Sequence, residues 1–123
     1  MLYLPPSYVL QSDRRYPVAY YLHGLGGRET DWTAHGHINT VLDSLIAGGM
    51  REMIIVMPDG DDGWYTTWNS LADQAACRRT NQRRESADTY CVAWPHYDDY
   101  IARDVGEFTD GYYRTIAKRV HRA

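Results

Sequence analysis

Five consecutive residues, His23-Gly24-Leu25-Gly26-Gly27, carry the strongest chemical signal in this chain. Glycines let a backbone bend sharply and expose N–H groups that side chains would otherwise screen. Exposed N–H groups just past the carboxyl end of a strand make a pocket for an anion. Two chemistries use such a pocket: cradling a phosphate and stabilising an oxyanion. The phosphate patterns fail in detail. Residues 24–29 read G-L-G-G-R-E, without the third glycine of G-x-G-x-x-G, and no G-K-[ST] follows. Oxyanion stabilisation remains, with a plain structural turn as the competing reading.

Other chemistry-bearing clusters are weaker. Asp59-Gly60-Asp61-Asp62-Gly63 superficially suggests a calcium loop. Counted from Asp59, however, the fifth position lacks an oxygen ligand, the sixth is Trp64 rather than glycine, and the twelfth is Ser70 rather than glutamate. A solvated turn is the better reading. His35-Gly36-His37 has no acidic or thiol partner at matching spacing, so no metal site is expected there. Cys77 and Cys91 fit no metal-ligand or redox spacing. Paired as a disulfide they would favour an exported protein, and as free thiols a cytosolic one; both stay open.

These residues need elements to hold them. Pro17-Val18-Ala19-Tyr20-Tyr21-Leu22 is continuously apolar apart from the tyrosine hydroxyls, which suits a strand buried on both faces, and it runs straight into the glycine turn. Met53 to Met57 is a second such strand, ended by Pro58-Asp59-Gly60. Between them Ile38, Val41, Leu42, Leu45 and Ile46 form one apolar helix face, and Gly48-Gly49 supplies the stop. Strand, helix, strand over this distance is a βαβ unit, so the class is α/β with a partly parallel sheet and flanking helices. Residues 1–4 read as the tail of another strand, and Ser7 to Tyr16 as a polar turn region. Tyr97, Ile101, Val105, Phe108 and Tyr112 mark one face of a later helix, with Asp98 and Asp99 in its first turn. Residues 61–95 show no sustained period, although 70–79 could form a short helix.

Composition limits the function classes. The 123 residues allow one small domain. A 44% hydrophobic content argues against disorder, and no apolar run approaches the ~18 residues of a membrane span. No targeting segment is visible at the start, and a formal charge of −3 argues against a bulk nucleic-acid binder. The basic run Arg78 to Arg84 lacks interleaved aromatic residues for base stacking and reads as a solvated loop. Eleven Tyr and four Trp against one Phe suit a cleft that is half apolar and half wet.

Four segments in register now point further: Tyr3-Leu4-Pro5-Pro6-Ser7-Tyr8, Tyr16-Pro17-Val18 with Tyr21-Leu22-His23-Gly24-Leu25-Gly26-Gly27, Ile55-Val56-Met57-Pro58-Asp59-Gly60, and the tail Tyr112-Tyr113-Arg114-Thr115 with Arg122-Ala123. Together they resemble the putative-esterase family of α/β-hydrolases, which includes S-formylglutathione hydrolases, feruloyl esterases and mycolyltransferases. The resemblance covers nearly the whole chain except about residues 70–95, which look like an insertion near the pocket. It implies that the backbone N–H of Leu25 donates to the oxyanion, with Gly24 and Gly26 shaping the turn. It also implies that Trp32, Trp64, Tyr65 and Trp68 line the substrate pocket, or else simply pack. The substrate would be a small-molecule ester or acylated sugar, without a cofactor.

A serine hydrolase also needs a nucleophile, a base and an orienting acid. The five serines, Ser7, Ser12, Ser44, Ser70 and Ser86, all lack the G-x-S-x-G elbow. By the family's order of Ser, Asp, His, the triad would follow the last residue seen here. None of the five histidines is then the catalytic base, and His23 packs or hydrogen-bonds at the turn. The resemblance therefore implies half an active site, completed by a following segment or a second chain and inactive alone. In the family the nucleophile strand pairs beside residues 17–22, so an unpaired apolar edge is expected there, filled by a second polypeptide or self-association. The alternative is a non-catalytic binding protein derived from the same fold.

Overall fold

The computed structural model describes residues 1–60, 65, 76, 78, 79 and 97–123. Its sheet has three strands, β1 (Leu2–Tyr3), β2 (Val18–Tyr20) and β3 (Ile54–Val56), in the order β1-β3-β2. Strands β2 and β3 run parallel, with Ala19 opposite Ile55, while β1 is antiparallel to β3, with Tyr3 opposite Ile55. The central strand is the most apolar one: Ile54 and Ile55 are fully buried, as is Met57 just past its end. Burying a side chain of that size contributes about 1.5–3 kcal/mol, so β3 is the anchor of the sheet.

Alternation along the strands divides the core into two layers. Tyr3, Ala19, Ile55 and Met57 face Ile38 and Leu42. These belong to α3 (Ile38–Ala47), which follows α1 (Ser7–Leu10) and α2 (Asp31–Ala34). Tyr16, Val18, Ile54 and Val56 face the other way, against Tyr8, Val105 and Tyr113. Helices thus cover both faces, which is why the strand sequences run apolar without alternation.

The apolar periodicity of α3 is borne out with one refinement. Ile38 and Leu42 are buried and Ile46 packs beside them, whereas Val41 and Leu45 remain about half exposed on its flank. The stop at Gly48-Gly49 is a Schellman motif: Gly49 takes φ +100°, its N–H donates to Ile46 O, and Met50 N–H donates to Leu45 O.

Three expectations need correction. Residues 7–10 are helical rather than a turn. The N–H and Oγ of Ser7 both donate to the buried Glu52 carboxylate, at 3.1 and 2.5 Å, and Arg14 pairs with the same carboxylate. A partner 45 residues away carries no local sequence signal. The later helix begins as expected with α4 (Tyr97–Asp99), passes through a π-helical segment (Tyr100–Val105) and continues as α5 (Gly106–Tyr112). The i→i+5 bonding of that segment takes an extra residue per turn and rotates the following face. Gly106 and Thr109 are consequently buried, while Phe108 and Tyr112 are 52% and 75% exposed.

The third correction concerns the outer edge of β2. It is not bare: Tyr16 N–H donates to Arg114 O, Ile116 N–H to Tyr16 O, Ala123 N–H to Val18 O and Tyr20 N–H to Ala123 O. The chain's own last stretch forms parallel bridges from Thr115 to Tyr16 and from Arg122 to Val18, looping out through a short 3-10 turn, Arg119–His121. Asp110 holds this stretch against α5 by accepting from Thr115 Oγ1 at 2.7 Å and pairing with the Arg122 guanidinium. Among the described residues no helix is long and apolar enough to cross a membrane.

Candidate active site

Because β2 and β3 are parallel, their carboxyl ends open at the same edge of the sheet, where ligands bind in open α/β sheets. The exit of β2 leads through Leu22, whose carbonyl accepts the indole N–H of Trp32 at 3.1 Å. The Trp32 ring stands edge-on to Tyr21 and is 38% exposed. It is therefore fixed beside the strand exit with part of its face open to solvent.

Residues 24–27 then make a β-turn closed by Gly27 N–H donating to Gly24 O at 2.9 Å. Within it only the third residue, Gly26, has a positive φ (+70°), which defines type II. A second donor meets the same carbonyl: His23 Nδ1 lies 2.9 Å from Gly24 O. The tautomer follows from the opposite ring nitrogen, because Gly60 N–H donates to His23 Nε2 at 3.0 Å. A nitrogen that accepts carries no proton, so the proton sits on Nδ1 and is given to Gly24 O. Asp59 Oδ1 also lies 3.9 Å from Nε2, but with Nε2 accepting from Gly60 this contact is no ion pair.

The consequence for Leu25 is geometric. In a trans peptide the C=O and the following N–H point in opposite directions, and no described peptide is cis. With Gly24 O drawn inward by two donors, Leu25 N–H points outward. Among the described residues it donates to no acceptor. Leu25 itself is 53% exposed. A Cβ added at Gly24 or Gly26 would meet nothing within 4 Å, whereas one at Gly27 would lie 2.6 Å from Asp31 Oδ2. Gly27, which the sequence reading did not single out, is thus the position that close approach reserves for glycine.

The turn after β3 is packed instead of open. Tyr65 donates from its hydroxyl to Pro58 O at 2.9 Å, and its ring meets the His23 ring edge-on at 5.0 Å between centroids. Tyr97 donates to Gly60 O at 2.7 Å and its ring lies 5.4 Å from that of Tyr65. Burial pushes the phenols of Tyr65 and Tyr100 above the ordinary tyrosine value.

Of the sequence-selected residues, the structure brings Gly24, Leu25 and Gly26 together in one turn and holds Trp32 at the same strand exit. Tyr65 sits behind the turn as a wall for His23, not with its hydroxyl free. Trp64, Trp68, Cys77, Cys91 and most of the 70–95 insertion lie outside the described residues. Sequence reasoning missed the two-sided bonding of His23 and the role of Tyr97. The signal for His23 was its place directly before the glycines at a strand end. Tyr97 reads in the sequence as one more member of the helix stripe. Among the described residues no group of three or more His, Cys, Asp and Glu gathers as a metal site, and His35 and His37 are both exposed.

The sequence profile of the putative-esterase family matches residues 1–123. The chain belongs to the putative-esterase family. A curated relative, the endo-1,4-beta-xylanase/feruloyl esterase of Xylanibacter ruminicola, is 41% identical over 63 residues, which are 48% of this chain and 9% of that protein. A solved ferulic acid esterase superposes with a TM-score of 0.71 at 29% identity, over 99% of this chain and 40% of its own. A ferulic acid esterase from Anaeromyces mucronatus, determined in complex with ferulic acid, gives a TM-score of 0.67 at 21% identity and the same coverage. The fold is part of an α/β-hydrolase fold, a small mixed sheet with helices, and this chain spans about 40% of the length of those solved enzymes.

Proposed function

We propose that this putative-esterase chain supplies the oxyanion turn and part of the substrate pocket of a serine carboxylic-ester hydrolase. The Ser, Asp and His of the triad would lie on a following segment or a second chain. The observation that carries the reading is the outward N–H of Leu25 at the carboxyl end of β2, which among the described residues meets no acceptor and whose preceding carbonyl is held by two donors. An oxyanion needs such a donor already in position when charge develops on the carbonyl oxygen. Names of relatives as feruloyl esterases support an ester of an aromatic acid as the substrate class. Trp32 beside the turn is suited to contact such an acyl group.

In this mechanism the serine oxygen attacks the ester carbonyl and its proton passes to the base. The negative oxygen of the tetrahedral intermediate accepts from Leu25 N–H. Collapse expels the alcohol, which takes the proton, and water then releases the acid from the acyl-enzyme.

Leu25→Pro in the complete serine-bearing protein tests this. Leu25 is the second residue of a type II turn, where proline is favoured, so the substitution deletes the N–H and keeps the turn. The expected outcome is a kcat on p-nitrophenyl acetate or methyl ferulate lower by about 10²–10³, with KM little changed. An unchanged kcat would falsify the reading. So would saturable turnover by this chain alone.

A further inference from the structure

We infer that His23 is a positioning residue for the oxyanion turn, acting as a single-tautomer strut between the two turns at the carboxyl edge of the sheet. The inference rests on the proposed role of Leu25 N–H and deepens it. The ring is buried, 7% exposed, and bonded at both nitrogens to backbone. Its Nε2 is pinned by Gly60 N–H, whose own carbonyl is held by the Tyr97 hydroxyl, and the ring face is held by Tyr65. The remaining proton on Nδ1 therefore has one place to go, the Gly24 carbonyl.

That bond acts on the reaction through one peptide unit. Gly24 C=O and Leu25 N–H belong to the same plane, so whatever orients the carbonyl orients the donor. The turn bond from Gly27 holds only one side of Gly24 O, and the His23 bond adds a second direction of hold on the peptide that carries Leu25 N–H. Two donors on Gly24 O also polarise the amide and strengthen the N–H on its far side. His23 touches neither substrate nor reacting atoms in this scheme. It is the member that ties the exposed turn to a buried support.

Two conservative variants separate positioning from packing. In His23→Asn the amide NH2 replaces Nδ1–H and can still donate to Gly24 O, while the bond from Gly60 is lost. In His23→Gln the amide reaches the Nε2 position and can still accept from Gly60 N–H, while the donor to Gly24 O is lost. The experiment measures kcat, KM and denaturant midpoint for both in the complete serine-bearing protein, alone and combined with Leu25→Pro. The expected result is a kcat about tenfold to a hundredfold lower in His23→Gln with KM little changed, and a clearly smaller loss in His23→Asn, which keeps the donor to Gly24 O but gives up the tie to Gly60. In the Leu25→Pro background, His23→Gln should lower kcat no further, since the donor it positions is gone.

Equal kcat losses in the two variants, or losses that follow the midpoint, would overturn the inference and leave His23 as packing. So would a full further loss on top of Leu25→Pro. If Leu25→Pro alone leaves kcat unchanged, the oxyanion assignment fails first and the role of His23 falls with it. The single and double variants thus identify which of the two statements is wrong.

Discussion

The turns after β2 and β3 leave the sheet side by side yet are built on opposite principles. The first, residues 24–27, is open: a Cβ at Gly24 or Gly26 would meet nothing within 4 Å, and Leu25 is 53% exposed. The second, Pro58-Asp59-Gly60, is clamped: Tyr65 holds Pro58 O, Tyr97 holds Gly60 O and His23 receives Gly60 N–H. The open turn has free space around it and a donor that meets no acceptor among the described residues. The clamped turn has Pro58 O and both backbone groups of Gly60 engaged. One lends rigidity to the other through His23, which is how an exposed loop can carry a donor without wandering.

The largest effect on this contrast should come from Gly60→Ala. The new Cβ would stand 2.2 Å from Tyr65 Cζ, and that ring is fixed by its own hydrogen bond and by His23 and Tyr97 around it. Overpacking of this kind costs about 1–3 kcal/mol, read as a lower denaturant midpoint with an unchanged m-value. A midpoint equal to the parent's would show that the clamp is soft.

Gly26→Ala tests the open turn, where space is free and only the backbone resists. Placing an L-residue at φ +70° costs about 1–2 kcal/mol, and Gly26→Asn should cost less because asparagine tolerates the left-handed region. Equal midpoints for the two variants would mean that the turn switches type instead of absorbing strain. The smallest change is expected from Tyr97→Phe, which keeps the ring against Tyr65 and removes the donation to Gly60 O, at about 1 kcal/mol. Its loss should appear as faster amide exchange at Gly60. Unchanged exchange there would place the clamp in Tyr65 and His23 alone.

Much of the scaffold was legible because its signals are local. The apolar runs at 18–22 and 53–57, the α3 face and the Gly48-Gly49 stop each show in residue type and spacing along one short segment, whichever partner the segment later meets. The glycine turn was legible for the same reason, since positive φ and chain reversal are demands made on Gly26 itself. What escaped depends on distant partners. Glu52 organises Ser7 and Arg14 from across the chain, and the C-terminal stretch pairs with β2 from about a hundred residues away. The π-helical segment defeated a correct helix assignment: a face counted at helical spacing loses register once one turn takes an extra residue, so Phe108 and Tyr112 emerge while Gly106 and Thr109 go inward.

By itself, then, the sequence determined the α/β class, the order of the strands' supporting elements, and where a backbone could expose N–H groups. Those features follow from periodicity and from glycine's freedom, which belong to the residues wherever they are placed. The resemblance pointed to the Leu25 N–H, but only the tertiary structure decided what holds it. A peptide's direction depends on partners brought by folding: the imidazole of His23, the amide of Gly60 and the hydroxyl of Tyr97 meet only when two parallel strands end at the same edge.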